Sequence, residues 1–128
     1  MSWSRAPVAD ALVSMLGAAT TGVYVHDRPP EIINPPAVIV SRPVQVVYNA
    51  AAFGVDEVEL PVVGAGGVDS DEAVDTVNAA CKAAVDADPT LAGSVKASWC
   101  YQERNWRNVT GAGGIQLLLV ELILTIQM

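Results

Sequence analysis

The stretch that most constrains this chain lies at its end. From Ile115 to Ile126 the sequence is apolar except for Gln116, Glu121 and Thr125. The run is too short to span a bilayer as a helix. Read as a strand to Gln127, it places alternate residues on opposite faces. Leu118, Val120, Leu122, Leu124 and Ile126 make one face wholly apolar, while Ile115, Leu117, Leu119, Glu121, Ile123 and Thr125 make the other. A strand apolar on both faces needs cover on both. It is therefore either central in its sheet or part of an oligomer surface.

Composition leaves the same two options for the whole chain. Its 128 residues suit a single domain over 1–128 with one core. Apolar residues make up 52% and charged residues 16%, against about a quarter charged in ordinary domains. The surplus is either a dense Ala/Val core or surface covered by other subunits.

The preceding segments read as alternating elements. Pro7 suits the first turn of a helix whose stripe is Val8, Leu12, Met15 and Leu16, with Gly17 as its end. Val23 to His26 and Ala37 to Val40 read as strands. Between them Asp27, Pro29, Pro30, Asn34, Pro35 and Pro36 keep the link irregular. Pro43 marks an edge or bulge before a strand at Val44 to Tyr48, and Asn49 to Gly54 reads as a loop. In the next strand Val58, Leu60 and Val62 oppose Glu57 and Glu59. Gly64-Ala65-Gly66-Gly67 reads as a flexible link to a second helix. Asp69 and Glu72 resemble a capping box there, and Val74, Val77, Cys81, Ala84 and Val85 form the inward stripe. Asp88-Pro89 opens a turn closing at Gly93. Val95, Ala97, Trp99 and Tyr101 then give a strand with one apolar face, and Glu103 to Gly114 reads as a polar, glycine-rich loop. The order implies an α+β fold, a mixed or mainly antiparallel sheet packed by two helices.

Little here points to chemistry. Neither Gly-Ala-Gly-Gly segment continues into a phosphate-binding motif, and Ser70 lacks a nucleophile-elbow context. His26 is the only histidine, with Asp27 and Glu31 as its nearest carboxylates. Cys81 and Cys100 have no metal-ligand spacing and read as small apolar filler, although a Cys–His pairing is left open. Asn108-Val109-Thr110 is a glycosylation sequon with no secretory signal before it. No enzyme, metal or cofactor is expected, and the chain reads as soluble and made in a reducing cytoplasm. The formal net charge of −7 argues against a duplex-DNA binder. Nine acids fall between Asp56 and Asp88, relieved only by Lys82, whereas Lys96, Arg104 and Arg107 tip the later chain slightly basic.

Several segments, in order, resemble the tail terminator proteins of long-tailed bacteriophages, especially those of actinobacteria. They are the opening helix, Ile33-Asn34-Pro35-Pro36-Ala37-Val38, Ala52-Phe53-Gly54, Val58-Glu59-Leu60-Pro61-Val62-Val63, Asp88-Pro89-Thr90-Leu91, Arg104-Asn105-Trp106, and the Gly-Gly pair before the last strand. The resemblance implies an α+β subunit that forms a ring, expected as a hexamer, on the last ring of the tail tube. It implies contacts with the tail tube protein and with the head connector or stopper, and a place at the head-proximal end of the virion tail. DNA would pass through the lumen unbound, repelled by carboxylates. No membrane and no turnover are implied. A different head–tail connector, such as a stopper or head-completion protein, and a small bacterial α+β binding domain are the alternatives. The candidate interface residues are Phe53 and Gly54 in the hairpin loop, and Arg104, Trp106 and Arg107. Rings need two unlike patches per copy. The Glu103 to Asn108 region is expected to meet a neighbour near its acidic second helix, with Trp106 as the main anchor.

Overall fold

The computed structural model describes residues 3–48, 55–67 and 71–128. Helix α1 (Arg5–Ala19) is followed by strands β1 (Tyr24–His26), β2 (Ala37–Val40), β3 (Gln45–Val47) and β4 (Glu57–Gly67). Helix α2 (Asp71–Ala87), the long strands β5 (Ala97–Thr110) and β6 (Gln116–Gln127), and a short turn of helix at Ala112–Gly114 complete the chain. The sheet runs β1-β2-β4-β6-β5, with β3 also on β4. Among the described residues only β1 and β2 pair in parallel, and the other pairings are antiparallel. The α+β expectation, a mixed sheet with two helices, is met.

The terminal strand is central. β6 lies between β4 and β5, pairing Val58 with Ile126, Leu60 with Leu124 and Val62 with Leu122 on one face. These residues join Val8, Leu12 and Leu16 of α1 and Val77, Cys81 and Val85 of α2 in one cluster. Both helices therefore cover the same face. On the other face Leu117 and Leu119 pack with Ala37 and Ala65, with Ile33, Val63 and Val109 around them. That patch is covered by the irregular chain near Ile33 and by side chains of the sheet itself, with no helix above it.

Several expectations need correction. α1 runs past Gly17 to Ala19, where Thr20 donates from its backbone N–H and its Oγ1 to the Leu16 carbonyl at 3.0 and 2.7 Å. A Cβ at Gly17 would meet nothing within 4 Å, so the residue is a helix position facing open space, and the positive-φ turn falls at Gly22 instead. The second correction concerns Gly64 to Gly67, which form the end of β4 and pair with Val120 to Leu117 of β6, Gly64 and Ala65 pairing also with β2. Glycine serves close packing here, because a Cβ on Gly64 would come within 2.6 Å of Asn78 Oδ1 in α2. The Glu103 to Gly114 region is likewise strand as far as Thr110. Register shifts between Cys100 and Gln102 and between Arg104 and Arg107 disguise its alternation. Asn105 takes a positive φ of 58° in the second of these.

The face of β5 is also reversed. Ser98 pairs with Ile126 and Cys100 with Leu124, so both turn toward the helices. Ser98 is buried and its Oγ donates to the Pro89 carbonyl at 2.9 Å. Trp99 and Tyr101 are exposed. Val95, read as part of the same face, is buried but precedes the strand.

Pro61 sits in the middle of a paired strand without breaking it. In an extended strand a residue's N–H and C=O point to the same side. The Pro61 carbonyl accepts from Ser41 N–H at 3.1 Å, so its missing N–H faces the Ser41–Val44 link, where the partner strand is interrupted. Pro43 lies in that same interruption.

Candidate functional site

The sheet face without helices carries an uncommon concentration of charge. Glu121 of β6 lies near its centre, with its side chain 15% exposed. Its carboxylate accepts from Arg107 Nη1 at 3.2 Å and from Asn105 Nδ2 at 2.9 Å. Arg104 Nε approaches the other oxygen at 3.6 Å and its Nη2 lies 3.8 Å from Glu59. Arg107 also donates to the Asn105 carbonyl at 2.9 Å. The irregular pairing of β5 between Arg104 and Arg107 is thus held from inside by one glutamate of the neighbouring strand.

Beside this cluster lies a groove of about 890 Å³, lined by Arg5, Arg28, Arg42, Arg107 and Glu121 around Pro61 and Val63. Four of the chain's five arginines meet here from remote positions. Pro61 and Val63 stand opposite Ile123 and Glu121, which puts the groove on the helix-free face. Arg5 reaches it from the start of α1. Its Nη2 donates to the carbonyls of Asp27 and Val40, the latter at 3.0 Å. Arg28 pairs with its neighbour Asp27 at 3.3 Å, and that hydrogen bond holds the Asp27 carboxyl below its ordinary value. Sequence reasoning missed this site. Arginines at positions 5, 28, 42 and 107 share no local pattern, and only the sheet register brings them together.

The expected interface residues fare differently. Phe53 and Gly54 lie outside the described residues, as do Asp69 and Ser70. Trp106 is exposed, on edge strand β5. Arg104 and Arg107 lie beside it in sequence but turn onto Glu121 of their own chain. Trp99, Tyr101 and Trp106 are all exposed along β5, which among the described residues pairs only with β6.

The remaining chemical candidates do not converge. His26 lies on β1, at the opposite edge of the sheet from β5, which carries Cys100. Burial pushes the Cys81 thiol up to about 12, with the nearby Cys100 raising it further. Burial likewise raises Cys100 to about 11, and Asp86 adds to the effect. Thiols so shifted supply almost no thiolate at neutral pH. Among the described residues no three His, Cys, Asp or Glu side chains are grouped to hold a metal ion. No helix among them is long and apolar enough to cross a membrane. No protein-family model matches this sequence, and no curated protein does.

Proposed function

We propose that this protein is a tail terminator, a ring-forming structural subunit that caps a bacteriophage tail tube and meets the head connector. The observation that carries this reading is the one-sided sheet. Helices cover one face only, while the other face and the long edge strand present Trp99, Tyr101 and Trp106 to solvent. Aromatic residues are enriched where proteins meet. A long open edge is a liability for a lone molecule and an asset for one built into an assembly. The order of segments that resembles the terminator family supports the same reading. So does the surplus of acids, which keeps passing DNA from adhering.

In this account the chain acts by geometry and performs no reaction. A closed ring of copies seats on the last tube ring, stops further addition and leaves a channel for DNA. Negative-stain imaging of the purified chain, alone and with tail tubes, tests this. Rings with a central channel, seated at one end of each tube, are the expected result. A chain that stays monomeric at high concentration and leaves tube ends bare overturns it.

A further inference from the structure

We propose that the arginine groove is the seat for the acidic N-terminal half of α2 from a second copy of this chain. The inference rests on the ring reading above and names the two surfaces that would join.

The groove holds four arginines against two carboxylates, Asp27 and Glu121, so the described part of the chain neutralises its charge only in part. Arg42 is exposed and has no ion-pair partner among the described residues. Among the described residues Arg28 pairs only with the half-exposed Asp27, and its own side chain is 78% exposed. Arg5 spends its Nη2 on two carbonyls, shares the Asp27 carboxylate with Arg28, and among the described residues its buried Nε has no hydrogen-bond partner. Arg107 is matched by Glu121, whose side chain is only 15% exposed. Such a site in a chain of net charge −7 calls for an acidic occupant.

The same chain carries the complement. Asp71, Glu72 and Asp75 are exposed on α2 and have no ion-pair partner among the described residues; the helix's one lysine, Lys82, is taken by Asp86 at 2.6 Å. Asp71 and Asp75, four residues apart, lie on one side of the helix. α2 packs on the sheet through Val74, Val77, Cys81 and Val85, so these acids belong to the helical layer and the groove to the opposite face. Two complementary patches on opposite sides of one subunit give a head-to-tail contact, the type that closes into rings. A helix about 10–12 Å across can lie along a groove floored by proline and valine.

The test uses two charge-reversed chains, Arg28→Glu with Arg42→Glu, and Asp71→Lys with Asp75→Lys. Each reversal is at an exposed side chain with no long-range partner. Sedimentation or mass photometry should show self-association weakened by roughly tenfold or more in each, with thermal melting unchanged in the arginine variant and lowered only slightly in the aspartate variant, where lysine enters the first turn of α2. Mixing the two defective chains should restore assembly, because each supplies the surface that the other now needs. A groove variant that assembles like the unaltered chain, while that chain forms rings, overturns the groove and leaves the ring reading standing. Variants that lose binding to an added acidic peptide or oligonucleotide yet still form rings also overturn it. An unaltered chain that never self-associates overturns both.

Discussion

Asn78 of α2 lies directly over Gly64 of β4, so close that a Cβ on the glycine would come within 2.6 Å of the asparagine Oδ1. Asn78 is buried, and its Nδ2 has no hydrogen-bond partner among the described residues. The helix can approach the sheet at this point only because position 64 has no side chain.

Gly64→Ala is therefore expected to lower stability by about 1–3 kcal/mol through overpacking. Asn78→Ala alone should cost less than about 1 kcal/mol, since it removes an amide donor that already lacks a partner. The double variant should recover much of the glycine penalty. Denaturant unfolding of all four chains measures the coupling. Strictly additive effects would show that the close approach is not what the glycine serves.

Glu121 gathers Arg104, Arg107 and Asn105 on the open face. Glu121→Ala leaves two arginines facing each other without their shared carboxylate. Its partners are 32% and 42% exposed, so the loss should be about 1–2 kcal/mol rather than that of a fully buried pair. Hydrogen exchange should quicken first in β5 around Asn105. Unchanged exchange there would mean that the strand's irregularity is held by the backbone alone.

The cysteines give a pH dependence with a definite sign. Burial pushes the folded Cys81 thiol up to about 12 from an ordinary value of 9.0, and Cys100 up to about 11. Raised folded values mean that the stability contribution is whole below about pH 9 and is lost as pH rises toward the folded values. Alkaline unfolding should accordingly move to higher pH in Cys81→Ala, measured relative to that variant's own stability at neutral pH. At pH 8 both thiols should react with a disulfide reagent far more slowly than in denaturant, the fully buried Cys81 more slowly than Cys100. Fast native labelling of Cys81 would contradict its burial.

Trp106 and the arginines flanking it should separate by function. Trp106 is exposed, so Trp106→Ala should leave the melting temperature nearly unchanged and weaken association of the copies by about 1–2 kcal/mol if the tryptophan anchors the contact. Arg107→Ala should lower the melting temperature, because its charge is spent on Glu121. A Trp106 variant that unfolds instead would show that the ring packs on its own sheet.

The elements themselves were legible because their signals are local. The period of two in Val58, Leu60 and Val62, and the stripe from Val74 to Val85, are properties of neighbouring residues and survive in the fold unchanged. The terminal strand's need for cover on both faces was equally plain. Its position between β4 and β5 was decided only by pairing. What local pattern could not reveal was which side of each strand the helices would choose. Trp99 and Tyr101 read as an inward face, yet small Ser98 and Cys100 turn inward because α2 lies close over that end of the sheet. Gly64 to Gly67 read as a linker because glycine in isolation signals freedom, whereas in the sheet it admits a helix. The arginine groove joins positions 5, 28, 42 and 107, and only a sheet that sets β2, β4, β6 and β5 side by side gives those charges a common surface.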